Sequence, residues 1–352
     1  MPNSELSAIT KILTALGFTL ADAQPHISGE RFLMQAITTI GGQKYILDGY
    51  TSTGTRVIIK ATRHLAGKAE IEHERTCRQK INNLAFAYDV FAVPEEILHT
   101  TKDGYLISVQ AYIPQSLPFL ERPLTEQFDF ALSAFVAQEH SRATTGGHVR
   151  QIERTFGIAT TETYRTLVRN FLSEHAGDPI ARTLIESVGK ALDTNQDRIT
   201  QYGHFLTHTD FVPHNFRIHE NKLYLLDFSA IRFGNKHESW ARFLNFMTLH
   251  NPALEAAFLT YFSDNRSPEE RESLHLMRLF RLAEIMTYYR KTLPRSEGNL
   301  KTLNESRIIF WGEVLAAELK HERISDTVRA SYQATRDSLR SDEEKQRQIG
   351  LH

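Results

Sequence analysis

FLTHTDFVPHNFRIHENKLYLLDFSAIRF, from Phe205 to Phe233, reads as short alternating strands turning at Glu220-Asn221-Lys222 inside an otherwise helical part of the chain. It gathers His208, Asp210, His214 and Asn215 into one loop and places Asp227 beyond the turn. Polar groups on loops that rigid elements hold in place are the usual material of a site.

On either side of this island the periodicity is helical, in TEQFDFALSAFVAQEH, ETYRTLVRNFLSEH, IARTLIESVGKALDTNQDRI and most of the chain beyond residue 236. Before about residue 115 the rhythm changes. TTIGGQKYILDGY and TRVIIKAT are strand-like and joined at Ser52-Thr53-Gly54, and EEILHTTKDGYLISVQAYI repeats the pattern around Lys102-Asp103-Gly104. KAEIEHERTCRQKINNLAF lies between the hairpins with helical spacing and no Gly or Pro. An amphipathic helix with Leu6, Ile9, Ile12, Leu13 and Leu16 on one face precedes them all. The expected class is α+β, with a small five-stranded antiparallel lobe carrying one helix and a larger, mainly helical lobe. The expected boundaries are a helical extension over 1–29, the sheet lobe over 30–113, the helical lobe over 114–340 and a charged tail over 341–352.

Composition narrows the partners. The 352 residues hold 41 Lys+Arg against 42 Asp+Glu, a formal net charge of −1, so there is no overall footprint for nucleic acid or an anionic membrane. No segment approaches the roughly 20 apolar residues of a membrane span and the N-terminus lacks a leader pattern; a cytoplasmic protein is expected. The single cysteine, Cys77, is spaced from Ile81 as a packed helical core residue.

The polar set suits phosphoryl transfer. Asp210, Asn215 and Asp227 are hard oxygen donors of the kind that suit Mg²⁺, which binds one or two carboxylates together with substrate phosphates. That reaction asks the protein to position phosphates, neutralise their charge and orient the attacking hydroxyl. Lys60, at the end of VIIK, is a strand cation able to reach phosphate oxygens, and Glu70, Glu72 and Glu74 on the following helix are each able to pair with it. Gly41-Gly42, at the first strand turn, would let the backbone approach a phosphate.

HTDFVPHN fits the His-x-Asp-x-x-x-x-Asn catalytic loop of the aminoglycoside phosphotransferase and choline kinase families, relatives of the protein kinases, and LLDFS is similar to their metal-binding Asp segment. The resemblance spans roughly residues 36 to 250. It implies a two-lobed protein-kinase-like fold and a small-molecule kinase, moving the gamma-phosphate of ATP, or of GTP as the alternative donor, to a hydroxyl acceptor with Mg²⁺ as cofactor. Asp210 would be the catalytic base, Asn215 and Asp227 the metal ligands, Lys60 the phosphate contact and Glu74 its ion-pair partner. SVQAYIPQ looks like the hinge, whose backbone at Ala111 and Ile113 would take the adenine edge, and His208 would orient the catalytic loop.

The departures are specific. The glycine turn has no third Gly, Ser229 stands where protein kinases carry Gly, and Ser239 beside Glu238 stands where the small-molecule enzymes commonly carry an Asp. A protein-kinase activation segment with Ala-Pro-Glu does not follow Asp227, which argues against a protein substrate. His140 ends an amphipathic helix and reads as structural, and FLNFMTLH and MTYYRK read as core packing. Two alternatives remain: a catalytically weak nucleotide-binding or interaction protein on the same fold, and a metallohydrolase with His208, Asp210, His214 and Asp227 as ligands. The helices beyond residue 264 mix acids and bases evenly, so a neutral or singly charged acceptor is expected rather than a polycationic antibiotic.

Overall fold

The computed structural model describes residues 2–22, 44–83, 91–142, 150, 154 and 156–340. By its contacts the chain divides into two compact units, one of residues 1–85, 91–118 and 216–229, the other of residues 86–90, 119–215 and 230–352.

The first unit is built on a five-stranded sheet: β1 (Phe18–Leu20), β2 (Tyr45–Thr51), β3 (Arg56–Thr62), β4 (Glu96–Lys102) and β5 (Tyr105–Ala111), in the order β1-β2-β3-β5-β4 with every pairing antiparallel. The β4–β5 turn takes left-handed backbone at Asp103 (φ 50°) and Gly104 (φ 80°), the conformation that tight hairpins demand and that Asp-Gly supplies. Glu220 (φ 48°) and Asn221 (φ 60°) do the same between the strands Phe216–His219 and Lys222–Leu225. That hairpin belongs to this unit, where Leu225 N–H donates to Ala92 O at 2.9 Å and Ile218 N–H to Gln115 Oε1 at 3.0 Å.

One expectation is corrected here. Helix α1 (Pro2–Ala15) is no extension: Ile9, Ile12 and Leu13 are buried in one core with Leu47, Val57, Ile59 and Val109 of the sheet. The amphipathic stripe of α1 needed a partner, and the sheet face supplies it. The described fifth strand is β1, three residues just after α1, whereas the strand expected around residues 38–43 lies outside the described residues. Gly49 lets β1 approach, since a Cβ there would stand 2.6 Å from Thr19 O. Helix α2 (Leu65–Asn83) follows β3 as expected, with Ile71 and Cys77 buried.

The second unit is helical around a two-stranded antiparallel ribbon of Phe205–His208 and Ile231–Gly234. Its central helix, Glu238–His250, is buried along most of its length, polar Glu238, Ser239, Asn245 and Thr248 included, so other elements enclose it on nearly every side. Trp240 stacks on Phe135 at 3.9 Å between centroids, and Phe243 meets Phe258 edge-on at 5.7 Å, geometries that favour aromatic pairs beyond area burial. The FLNF part of the expected aromatic packing is therefore core, while Tyr288 of MTYYRK is 50% exposed. Helix Pro268–Thr292 packs against it, started by Ser267 and Glu270 in a reciprocal capping box with Pro at the first turn.

Burial pushes the Cys77 thiol up to about 11, aided by the Glu74 charge and opposed by Lys80. Native protein at pH 8 should react with a thiol reagent roughly a hundredfold slower, or slower still, than the denaturant-unfolded chain, because both thiolate fraction and access fall. Comparable rates in the two states would place Cys77 outside the core.

Candidate active site

The loop bearing Asp210 leaves the strand Phe205–His208, whose last residue pairs with Ile231. His208 is fully buried, and its ring meets Phe211 edge-on at 6.4 Å. Its backbone N–H donates to Ser239 Oγ at 2.8 Å, and the Gln138 side-chain amide donates to the same oxygen at 2.8 Å. Thr207 Oγ1 lies 2.7 Å from that oxygen and His208 O lies 3.2 Å from it. Ser239 thus supports the loop with a neutral hydroxyl. The next turn is closed by Thr209 N–H to Ala230 O at 2.8 Å and Asn215 N–H to Val212 O at 2.9 Å.

Glu238 does different work. Fully buried, it accepts from Tyr164 Oη at 3.0 Å and pairs with Arg232 and Arg281. Gly234 makes room for this cluster: a Cβ there would meet Glu238 Oε2 at 2.7 Å and the Tyr164 hydroxyl at 2.8 Å. Burial pushes the Glu238 carboxyl up, but the charges of Arg232 and Arg281 and the bonds from Arg232 and Tyr164 outweigh it and hold it below the usual range.

Asp210 and Asn215 are brought together. Asn215 Nδ2 donates to Asp210 O at 2.8 Å and to Asp210 Oδ2 at 3.0 Å, which occupies both amide hydrogens and leaves the amide oxygen as the donor Asn215 can offer a hard cation. His214 Nε2 stands 3.5 Å from Asp210 Oδ2. Arg242, which the motif did not flag, donates from Nε at 3.1 Å and Nη2 at 2.8 Å to Asp210 Oδ1. Crowding by protein pushes the Asp210 carboxyl up, yet the Arg242 charge, the bond and charge of His214 and the Arg242 bonds together hold it well below the usual carboxylate range. It keeps 35% of its side chain open. The result is an ionised, oriented and accessible carboxylate, suited to direct a hydroxyl.

In the sheet unit, Lys60 on β3 and Glu74 on α2 are both buried, with Lys60 Nζ 2.6 and 2.5 Å from the two carboxylate oxygens. The other two candidates are engaged elsewhere: Glu70 pairs with Lys44, and Glu72 lies 3.0 Å from His99. Strand β3 faces Lys60 inward, and the buried faces of α2 recur so that Glu74, rather than Glu70 or Glu72, meets it. Asp227 has left-handed backbone (φ 55°) and accepts from Ser229 Oγ at 2.5 Å. Such a conformation away from Gly costs energy and concentrates at functional sites. Ala111 ends β5, and its N–H donates to Glu95 O at 2.9 Å. Ile113 follows outside the strand, Gly41 and Gly42 lie outside the described residues, and His140 is the C-terminal cap of its helix, as expected. Among the described residues no cluster of three or more His, Cys, Asp or Glu is arranged to hold a metal ion, and no helix is long and apolar enough to cross a membrane.

Solved structures share this architecture. A macrolide 2'-phosphotransferase type I matches with a TM-score of 0.59 at 13% identity, over 87% of this chain and 97% of its own. Macrolide 2'-phosphotransferase MphH from Brachybacterium faecium matches at 0.56 and 15%, over 86% and 97%. Aminoglycoside phosphotransferase APH(4)-Ia matches at 0.56 and 12%, over 83% and 97%; one of its structures is a ternary complex with AMP-PNP and hygromycin B. No family model and no curated protein matches the sequence. The chain has the two-lobed, kinase-like α+β fold of these phosphotransferases, in agreement with the resemblance of its central motif.

Arg242 was missed as a site residue because it acts through a contact between segments far apart in sequence. The available signal was the start of a helix shortly after Asp227, whose first turns were bound to pack near the loop.

The Glu238 cluster has a pH signature. Its carboxyl is depressed in the folded state, so its contribution is complete above the ordinary value of 4.5 and is lost as pH falls through the folded value. Glu238→Gln should cost about 3–5 kcal/mol near neutrality, the range for breaking a buried pair, and the gap from wild type should narrow on acidification below 4.5. Denaturant unfolding at a series of pH values checks this, and a gap independent of pH would contradict it.

Proposed function

We propose that this chain is an ATP-dependent phosphotransferase that moves the gamma-phosphate to a hydroxyl of a small molecule. The observation that carries the reading is the Asp210–Asn215 loop: a motif met first as residue spacing is folded so that Asn215 clamps the Asp210 carboxylate and turns its own amide oxygen to other use. The fold it shares with macrolide and aminoglycoside phosphotransferases supports the same conclusion.

In this reading Asp210 orients the acceptor hydroxyl and takes its proton as the oxygen–phosphorus bond forms and the bond from the gamma-phosphorus to the bridging oxygen breaks, releasing ADP. A carboxylate held so low is a weak base, which is adequate where the transition state is loose and the proton leaves late. Lys60, kept extended by Glu74, neutralises charge on the phosphates that are not transferred. The Ala111 carbonyl and the Ile113 backbone take the adenine edge. Asn215 and Asp227 would hold Mg²⁺, whose donor preference their oxygens fit; when bound, it supplies neutralisation of the phosphate charge. His208 holds the loop from below, without contact with the reacting atoms. The protein is expected to work in the cytoplasm, on a small acceptor, without nucleic acid or membrane as partner.

The Asp210→Asn variant should retain MgATP binding and lose roughly two to four orders of magnitude in phosphoryl transfer, the range for a positioned general base. Transfer at the wild-type rate would remove Asp210 from this role. Ligand linkage gives a check that needs no acceptor. At a hundredfold excess over its dissociation constant, MgATP should stabilise the fold by about 2.7 kcal/mol. That raises Tm by several degrees at roughly 2–4 °C per kcal/mol, an effect that should require Mg²⁺ and disappear in Lys60→Ala. No shift with wild type at millimolar MgATP would sink the nucleotide-binding reading.

A further inference from the structure

Arg242 lies on the helix Glu238–His250, followed at one-turn intervals by Phe246 and His250, so the three share one stripe of that helix. The Phe246 ring stacks on His250 at 4.1 Å and meets the His214 ring edge-on at 6.2 Å. Around the Asp210 carboxylate the helical unit therefore presents a guanidinium, an imidazole and an aromatic ring. Arg242 commits Nε and one edge of Nη2 to Asp210 Oδ1. Of its five N–H donors, the two on Nη1 meet no protein acceptor among the described residues, and 21% of the side chain is open.

Any acceptor whose hydroxyl reaches Asp210 brings the rest of its molecule beside this guanidinium. A polycationic acceptor would need uncommitted carboxylate there, yet Asp210 is already neutralised by Arg242, and a further cation would be repelled. An oxyanion, in contrast, would complete the open edge with charge-assisted hydrogen bonds in the planar geometry that Arg favours.

We propose that Arg242 is a specificity-determining residue whose Nη1 edge binds an oxyanion of the acceptor, so that the acceptors are small hydroxyl compounds carrying a carboxylate or a phosphate ester. The inference rests on the phosphotransferase reading and sharpens its acceptor class. It differs from the neutral or singly charged class read from helix composition in requiring the negative sign, which comes from the contact between Arg242 and Asp210.

The test uses the full chain with MgADP and follows the arginine Nε resonance that disappears in Arg242→Gln. The probes are glycerate, glycerol 3-phosphate, neutral glyceramide and kanamycin. Glycerate or glycerol 3-phosphate should shift the Arg242 resonance saturably and bind roughly tenfold or more tightly than glyceramide, as a charge-assisted contact would give, and whichever of the two responds identifies the oxyanion. Arg242→Gln should lose that discrimination while MgATP still raises its Tm, and Arg242→Lys should keep part of it. The proposal is overturned if neither oxyanion moves the resonance, if glyceramide or kanamycin binds as well, if Arg242→Gln discriminates like wild type, or if the resonance answers only to replacement of MgADP by an ATP analogue. Failure of MgATP to stabilise the wild type would instead remove the underlying phosphotransferase reading, and this inference with it.

Discussion

The Ser239 hydroxyl is the point on which the Asp210 loop depends. Fully buried, it accepts hydrogen bonds from the His208 backbone and from Gln138 and lies beside Thr207. A buried N–H without a partner costs about 1–3 kcal/mol, so the loop has strong reason to adopt the one path that brings His208 to Ser239. That path delivers Asp210 to the surface with its carboxylate turned toward Arg242 and Asn215. Because Ser239 sits in the first turn of the most enclosed helix of the unit, the loop inherits the rigidity of the aromatic core.

Neighbouring acids in this region illustrate two solutions to the cost of charge. Glu238 is completely dry and is paired with Arg232 and Arg281 in addition to the Tyr164 hydroxyl, an arrangement that satisfies the buried charge and leaves nothing to offer a ligand. Asp210 also has three partners, Arg242, Asn215 and His214, but it keeps part of its surface open. The first arrangement anchors a helix; the second keeps an oriented, arginine-paired carboxylate where a molecule can reach it. In the phosphotransferase reading this division lets the loop be stiff without burying its working group.

Much of the local structure was legible from residue chemistry. Lys102-Asp103-Gly104 and Glu220-Asn221-Lys222 announced hairpins because few residues accept left-handed backbone, and the Gly-free, Pro-free span from Lys68 onward announced helix α2, which starts three residues earlier and takes in Gly67. The strand Phe18–Leu20 escaped notice because three residues carry no usable periodicity, and α1 passed for an appendage because its apolar stripe does not say which surface will cover it. Equally, three glutamates on one helix were equivalent as letters, and only the pairing of Glu70 with Lys44, of Glu72 with His99 and of Glu74 with Lys60 distinguished them.

From sequence, then, came the groups whose chemistry and spacing act locally: the acid and amide of the Asp210 loop, the Asp227 segment, the strand lysine and the alternation of a sheet-rich part with a helical one. Tertiary structure decided everything that requires two distant segments to meet. It set Ser239 beneath His208, Glu74 against Lys60 and Arg242 against Asp210, contacts separated by 31, 14 and 32 residues along the chain. Such partners leave no periodic mark because each is a single side chain whose direction depends on how whole helices pack, and packing is settled by the core rather than by the motif.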